Sequence, residues 1–571
     1  MAFEDNQQLT GIFEEIADFL ELQGENIFKV KAYQKAARGL EGLERSVSEL
    51  YRSGALASMP GFGKALVEKV GQFVDKGEVE LHQQLKSSFP PEILHLMDVP
   101  GLGAKKAAQL YKELGIGSVD ALEKALREGL VTDIKGFGKK TVDKLLEGIG
   151  LLRQGEQRWL LGRVSLLAEE LLGRLRALPV VQRAEAAGSL RRGKETVGDL
   201  DLLVISTSPE QVMEFFAGLG EVIGSGPTKT SIRWEGTFQI DLRCVPAESF
   251  GAAMQYFTGS MDHNVALRGR AKRMSCELNE YGLFDALGQC IASETEEEIY
   301  AKLGLPWIAP ELRESGAELE WDRQPERLQL SQLRGNLHTH SLWSDGTDTL
   351  EQLAEEAQKR GYQYLAVTDH SRSMVVANGL SIERLLAQGE EIARLNRGFS
   401  DFRLLWGSEV DILGDGSLDF PEEILARLDF VVVAVHSQFS MTPEAMTERI
   451  CRGISHPYVD VLAHPTGRKI NRRVGYQADW ERVYAVAREH GVALEINCSP
   501  RRLDLNDKAA RRARDCGCLI SLGTDAHSLP EFDYLPLGVL QARRAGIEAH
   551  SLLNSLSWEQ LRNRRPHLAD V

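Results

Sequence analysis

Gly335-Asn336-Leu337-His338-Thr339-His340-Ser341-Leu342-Trp343-Ser344-Asp345-Gly346 is a short apolar run that ends in ionisable side chains. His338 and His340 stand two residues apart, so on a strand both imidazoles share one face. Six more short apolar runs follow, at 364–370, 403–412, 430–436, 461–465, 493–497 and 519–527, and helical segments alternate with them. Strand–helix alternation argues for a parallel sheet, closed here as a barrel. Each run carries His, Asp or Glu at or near its end, and the C-terminal strand ends of such barrels form the active-site face. The ligand candidates are His338, His340, Asp345, His370, Glu409, His436, His464, Asp525 and His527. An imidazole-rich set suits Zn, Mn or Fe, and so many ligands point to two or three ions. Such a cluster lowers the pKa of a bridging water and supplies hydroxide to attack phosphorus. The other histidines, His82 and His263 among them, lie mostly in helical or loop stretches and read as surface or core residues.

Upstream of the barrel the patterning changes. The whole chain has 571 residues, which at roughly 150 per domain suggests three or four domains. Hydrophobic residues make up 43% and charged residues 26%, a globular balance with ample core. No apolar run approaches the roughly 18 residues of a membrane span. The acidic start, Met1-Ala2-Phe3-Glu4-Asp5, has no signal-peptide core. Seven cysteines without paired spacing fit a reducing cytosol, so a cytoplasmic protein is expected. A net charge of -16 argues against coating nucleic acid through a broad basic field. It leaves room for a site-directed enzyme whose carboxylates hold metals.

Residues 1–150 read as short helices broken three times by glycine: Gly61-Phe62-Gly63, Gly101-Leu102-Gly103 and Gly136-Phe137-Gly138. A G-x-G turn presents unpaired amides at the next helix's N-terminus, where the helix dipole favours a phosphate. Lys64, Lys105 and Lys139 add charge at or after each turn. One copy reads best as a helix cap; three copies of one pattern favour phosphate binding.

Residues 151–245 have an α+β signature, with a helix over 159–177 and strands over 199–205 and 237–245. Asp199 and Asp201 share one strand face, and Asp241 sits on the other strand. Three such carboxylates can hold two divalent ions for in-line phosphoryl transfer. The turn Gly188-Ser189-Leu190-Arg191-Arg192-Gly193 adds a hydroxyl, two guanidiniums and glycine amides, which suit a triphosphate.

These strings resemble the DNA polymerase X family, relatives of polymerase beta, over about residues 1–318. The glycine turns resemble the helix-hairpin-helix motif, which binds the DNA backbone without reading sequence. The likeness implies that Asp199, Asp201 and Asp241 are the catalytic metal ligands for Mg²⁺ or Mn²⁺, and that Gly188, Ser189 and Arg192 bind nucleotide phosphates. It implies that Tyr256, Phe257 and Gly259 form a sugar-contacting turn, that Asn264 reads the base's minor-groove edge and that Arg268 contacts the template strand. Met261 departs from the family, which carries an Asp there that packs on the incoming base. Aligned on the first hairpin, the family's 5′-deoxyribose-phosphate lyase lysine falls on Lys69, with Lys29 and Tyr33 at neighbouring positions.

The strings His338-Thr339-His340, Thr368-Asp369-His370, Ala463-His464-Pro465 and Thr524-Asp525-Ala526-His527 resemble the PHP (polymerase and histidinol phosphatase) family over about residues 333–571. That family has a distorted (β/α)7 barrel, and all nine of its ligand positions are occupied here, for two or three Zn²⁺ or Mn²⁺ ions. Arg468 and Arg501 are phosphate-contact candidates.

The expected fold is therefore multidomain: an all-α helix-hairpin-helix region (1–90 and 91–150), an α+β polymerase palm (151–245) and thumb-like nucleotide-binding subdomain (246–317), a charged linker (318–334) and the PHP barrel (335–571). The expected function is gap filling on gapped or primed DNA from deoxynucleoside triphosphates, in base excision repair, with metal-dependent 3′→5′ exonuclease or phosphoesterase activity and abasic-site processing as a further implied activity. The alternatives are a PHP phosphoesterase whose front half only binds DNA, and a non-enzymatic DNA-end scaffold, against which the occupied metal positions weigh.

Overall fold

The computed structural model of the protein describes residues 2–41, 46–59, 62–90, 92–132, 134–156 and 158–564. Up to residue 156 the described chain is helical, and Ala2–Gln23, Ile27–Glu41, Lys64–Lys76, Ala104–Leu114 and Lys139–Glu156 are its longest elements. Phe13, Ile16, Leu96 and Leu110 lie in their shared core. The apolar residue inside each glycine turn, Phe62, Leu102 or Phe137, is buried in that core. Its described glycine neighbours are exposed, so the turns are pinned from within and open outward.

The palm sheet has five strands, β1 (Val181–Ala186), β2 (Asp199–Ser206), β3 (Glu221–Ser225), β4 (Lys229–Trp234) and β5 (Phe238–Cys244), in the order β1-β2-β5-β4-β3. Only β2 and β5 run parallel. They are the two strands expected from the sequence, and they form adjacent inner strands of the sheet. The long helix spans Leu161–Arg176, beginning two residues later than the 159–177 pattern suggests. Trp159 instead pairs with Val197 and stacks on Phe238, with ring centroids 4.4 Å apart. Aromatic packing on the sheet outweighs the first turn of helix.

Residues 246–317 place helices Phe250–Thr258, Met261–Arg273 and Glu296–Lys302 around a small antiparallel sheet of β6 (Glu277–Asn279), β7 (Gly282–Phe284) and β8 (Cys290–Ala292). The charged stretch that follows is laced to both neighbours. Glu318 is buried 2.7 Å from His263 Nδ1, Arg323 pairs with Glu548 at 2.7 Å, and Arg543 Nε donates to Leu328 O at 2.6 Å. His263 is thus a core residue, bonded also to the Tyr300 hydroxyl.

The C-terminal region is a seven-stranded parallel sheet in sequential order, β9 (Gly335–Thr339), β10 (Tyr364–Val367), β11 (Arg403–Asp411), β12 (Phe430–Ala434), β13 (Val461–Leu462), β14 (Ala493–Asn497) and β15 (Ile520–Gly523). Beyond the last strand, Asp525 N donates to His338 O at 2.9 Å and His340 N donates to Ala526 O at 2.8 Å, which nearly closes the barrel. The strand interiors are apolar because helices cover the outside and packed side chains fill the inside.

Gly407, on β11, shows how tight this packing is. A Cβ there would lie 2.6 Å from Phe430 O and 3.0 Å from Val367 O, the backbones on either side. Gly407→Ala is expected to destabilise the barrel by about 1–3 kcal/mol. An unchanged urea midpoint for barrel unfolding would show slack between these strands.

Candidate metal centres

Glu409, on β11, is 1% exposed and stands at the centre of the barrel's C-terminal face. Its Oε1 lies 2.9 Å from His464 Nε2 and 3.3 Å from His436 Nε2. Its Oε2 lies 3.0 Å from His370 Nδ1, 3.5 Å from His338 Nε2 and 3.6 Å from His340 Nε2. Asp525 Oδ1 approaches His340 Nε2 at 3.1 Å and His338 Nε2 at 3.6 Å. Asp345 Oδ1 lies 3.4 Å from His527 Nε2 and 3.8 Å from His370 Nε2. All nine residues singled out from the sequence therefore meet in one cluster. Eight of them fall into three overlapping groups: His340, Asp345, His370 and His527; His338, His340, Glu409 and Asp525; His370, Glu409 and His436. His464 joins through its contact with Glu409.

The donor set fits cations. Glu409 Oε2, His340 Nδ1, His370 Nδ1 and His464 Nδ1 are buried without a hydrogen-bond partner, a costly arrangement that coordination relieves. Burial pushes His340 down to about 4 and His464 down to about 3, toward the neutral form that binds metal. Burial opposes protonation of His436 and His527 too, but nearby carboxylates overcome it and lift them to about 9 and about 10. His464 (φ 28°) and Asp525 (φ 54°) hold left-handed backbone conformations, which cost non-glycine residues about 1–3 kcal/mol each and cluster at functional sites.

Three carboxylates that the sequence reading left unassigned orient these ligands. Glu495 Oε1 sits 2.8 Å from His338 Nδ1, and its Oε2 accepts from His464 N at 2.7 Å. Asp411 Oδ1 lies 2.6 Å from His436 Nδ1. Asp369 accepts from Ser341 N at 2.8 Å and from the Ser344 hydroxyl, fixing the turn after His340. Such partners set the tautomer and aim of metal-binding imidazoles. Glu495 did carry a signal: it lies on the one barrel run from which no ligand was drawn. The phosphate candidates also shift. Arg468 pairs with both oxygens of Glu195, at 3.1 and 2.7 Å, and Arg501 is exposed, 4.0 Å from Glu14. The basic group at the metals is Arg502, with Nε 3.6 Å from Asp525 Oδ2 and a buried Nη1 that has no partner.

In the palm, Asp201 and Asp241 are direct partners across the parallel β2–β5 pair, with Asp199 on the same face. Ligand oxygens of the three lie within 4.8 Å of one another. Gln239 Nε2 donates to both Asp241 oxygens at 3.2 Å, and the Ser231 hydroxyl donates to Oδ1. Gly188 has φ 61°, and a Cβ there would fall 2.3 Å from Asp201 Oδ2, so only glycine lets the turn lie against the carboxylate. Ser189 Oγ and Arg192 Nε, in or just after that turn, are buried without a hydrogen-bond partner, with Glu314 3.7 Å from the guanidinium nitrogen, as suits donors free to meet an anion.

Arg192 Nη1 donates to Thr258 O, which brings the Gly188–Arg192 turn against the Tyr256–Gly259 turn. Gly259 holds a left-handed backbone (φ 69°), and a Cβ there would lie 3.1 Å from that guanidinium. Tyr256 and Phe257 pack edge to face at 5.1 Å, with Arg243 over the Phe257 ring. Asn264 is buried, accepting from Gln255 Nε2 at 2.7 Å and donating to Tyr256 O at 2.8 Å. In this conformation it anchors Tyr256. Arg268 Nε donates to Asn264 O at 3.3 Å, and Met261 is 77% exposed.

Among the hairpin glycines, Gly61 lies outside the described residues. Gly101 (φ 89°) and Gly136 (φ 96°) need the left-handed conformation. Gly63 and Gly103 take extended N-cap geometry, and a Cβ on Gly63, Gly103 or Gly138 would meet nothing within 4 Å. The space in front of those helix ends is open. Lys69, on Lys64–Lys76, lies 3.9 Å from Glu68. Lys29 bonds Glu25 at 2.9 Å, and Tyr33 packs edge-on against Phe13.

The chain matches the family descriptions Helix-hairpin-helix domain over residues 4–79, SAM-like Helix-hairpin-helix tandem over 93–150, DNA polymerase beta thumb over 253–314 and PHP domain over 336–499. It is 39% identical over 557 residues to the DNA polymerase/3'-5' exonuclease PolX of Bacillus subtilis, covering 96% of this chain and 97% of that one. DNA polymerase lambda of Rattus norvegicus is 25% identical over 351 residues, 55% of this chain and 56% of that one. A probable phosphatase of Thermoanaerobacter sp. is 32% identical over 230 residues, 38% of this chain and 89% of that one. No helix among the described residues is long and apolar enough to cross a membrane.

Burial, with Asp199 and Asp241 nearby, pushes Asp201 up to about 7. Below that pH a proton occupies the site that a cation needs, and above it the competition ends. Magnesium, which favours carboxylate oxygen over imidazole, is expected to bind about tenfold more weakly for each pH unit below 7 and at constant affinity above it. Calorimetric titrations between pH 5.5 and 8 check this, and a flat profile would mean that Asp201 is ionised throughout.

Proposed function

Because the chain belongs to the bacterial DNA polymerase X family that carries a C-terminal PHP domain, we propose that it fills short gaps in DNA and trims 3′ ends, using two separate metal centres. The observation that carries the polymerase half is the palm turn. Its buried Ser189 Oγ and Arg192 Nε, neither hydrogen-bonded, lie beside the cross-strand Asp201–Asp241 pair, with Gly188 packed against Asp201. In this reading Ser189 and Arg192 hold the triphosphate, and Asp199, Asp201 and Asp241 hold Mg²⁺ or Mn²⁺. Tyr256, Phe257 and Gly259 meet the sugar, with Asn264 and Arg268 toward the base pair and template. Ions held there would offset charge on the transferring phosphate and acidify the attacking hydroxyl.

The barrel ligands would hold two or three Zn²⁺ or Mn²⁺ ions, and Arg502, beside Asp525, would meet a phosphate bound there. The backbone amides after Gly63, Gly103 and Gly138 grip DNA phosphates locally, which suits a chain of net charge -16. The seven free cysteines suit a cytoplasmic repair enzyme. Lys69 is the residue that the family resemblance offers for 5′-deoxyribose-phosphate removal. The reading of the front half as a DNA-binding module only leaves the unpartnered palm donors without a role.

The two centres share no ligand, so their activities are separable. Asp201→Ala or Asp241→Ala is expected to cut nucleotide addition by on the order of a thousandfold or more while 3′→5′ degradation persists. The double change His338→Ala, His340→Ala is expected to lower bound transition metal and abolish degradation while gap filling persists. One preparation of each, assayed for metal content, extension and degradation, decides. Normal extension by either aspartate variant would overturn the palm assignment.

Gly103 and Gly138 separate capping from DNA binding, because their surroundings are open. Gly103→Val is expected to fold with a loss of no more than about 1 kcal/mol for the poorer cap, yet to bind gapped DNA about tenfold more weakly, whatever the flanking sequence. Unchanged affinity would reduce this glycine to a helix cap.

A further inference from the structure

Arg544 lies on the barrel helix Leu535–Ala545 and is 1% exposed. Its Nη1 donates to the carbonyl oxygen of Arg192 at 2.6 Å and lies 3.0 Å from Glu314 Oε1, while Nη2 pairs with Asp507. Nearly one turn earlier on the helix, Gln541 Nε2 donates to Gly193 O at 2.8 Å. Gly193 has φ 66°, and a Cβ there would fall 2.4 Å from Leu540 Cγ. The barrel's Arg468 takes both carboxylate oxygens of Glu195. Three of the four residues from 192 to 195 are therefore held by the barrel.

From its own side the palm turn is held by Arg191, bonded to both Glu296 oxygens and to the Thr258 hydroxyl, and by Gly193 N donating to Leu190 O at 2.8 Å. Those bonds leave the carbonyls of Arg192 and Gly193 to the barrel. The turn is bounded by two left-handed glycines, Gly188 and Gly193, which are the residues that rotate most freely. The Arg192 guanidinium reaches Thr258 O and approaches Glu314 at 3.7 Å, and Glu314 is shared with Lys194 and Arg544. Fixing the Arg192 carbonyl from outside fixes the direction in which its side chain leaves the backbone. A phosphate-binding guanidinium aimed less well makes fewer bonds to the bound triphosphate, which weakens binding.

We propose that the PHP barrel forms the outer wall of the polymerase's nucleotide site, with Arg544 and Gln541 as positioning residues for deoxynucleoside triphosphate binding. The inference rests on the reading of Ser189 and Arg192 as the triphosphate-binding turn. It gives the barrel a role in nucleotide addition that is independent of its metals.

The test is steady-state gap filling by the full-length protein with varied nucleotide concentration, alongside 3′→5′ degradation of a single strand. Arg544→Ala is expected to raise KM for the nucleotide about tenfold, with kcat changed by less than about threefold. Gln541→Ala should raise KM about threefold, and Arg544→Lys should recover part of the loss because an ammonium still reaches one carbonyl. Degradation should be unchanged in all three. Arg323→Ala, which removes an exposed ion pair to Glu548 in the connecting stretch, should leave KM unchanged.

Arg192→Ala separates the two levels of the argument. Should it leave KM unchanged, the triphosphate reading fails and this inference with it. If it raises KM while Arg544→Ala and Gln541→Ala do not, the positioning role alone is overturned. An equal rise in Arg323→Ala would show general loosening of the interface and would also overturn it. Where Arg544→Ala does not melt cooperatively, Gln541→Ala and Arg544→Lys decide.

Discussion

A carboxylate excluded from water and ringed by imidazoles cannot stand without compensation. Glu409 meets that condition, with both oxygens against five histidines, and the barrel's C-terminal face is arranged around it. Burying the charge is costly unless paired or coordinated, so the surrounding groups must supply either protons or cations. The backbone accommodates them with unfavourable conformations at His464 and Asp525. It also accommodates them with missing side chains: a Cβ on Gly523 would lie 2.0 Å from Glu495 Oε1, where the carboxylate that aims His338 now fits. The palm repeats the device on a smaller scale at Gly188 and Asp201.

Much of this was legible in the sequence because period-two spacing carries direction. His338 and His340 had to share a face, as did Asp199 and Asp201, and the strand ends had to converge if the sheet closed. Glu495, Asp411 and Asp369 were not legible as orienting groups. An acid in an apolar strand looks the same in sequence whether it binds metal, aims a ligand or bonds a turn. Which it does depends on cross-strand register, such as that between β14, β15 and β9. Arg501 and Arg502 are adjacent in a loop, and loop geometry alone decides which of them reaches Asp525. Strands β1, β3 and β4 escaped notice because their patterning is weak: β3 is exposed throughout, and β4 buries Thr230 and Ser231 against its neighbours. Trp159 shows tertiary packing overriding local helical pattern.

The linker expected over 318–334 shows a related limit. Charge without periodicity reads as solvated chain, but here the charges are fixed partners. Glu318 accepts from a buried histidine, and Arg327 bonds Glu311, which is 2% exposed. The stretch therefore joins the thumb-like subdomain to the barrel through specific ion pairs. That bears on how the halves work together, since a palm turn held at the carbonyls of Arg192 and Gly193 needs the barrel helix in register with it.

The two centres differ in the proton chemistry that governs their ions. In the palm, carboxylates crowd together and Asp201 is lifted to about 7, so near neutral pH a cation has to displace about half a proton there. In the barrel, His340 and His464 are held neutral and offer lone pairs at any working pH. His436 and His527 keep protons well above neutrality until a cation takes their place. Hard oxygen donors favour magnesium-like ions, and imidazoles favour borderline ones such as zinc. Manganese suits both donor sets, so the two centres differ in the ions they favour without excluding a shared one. What separates the two sites in this chain is their ligand sets: three carboxylates on the palm strands, and imidazoles with carboxylates at the barrel's strand ends, with no residue common to both.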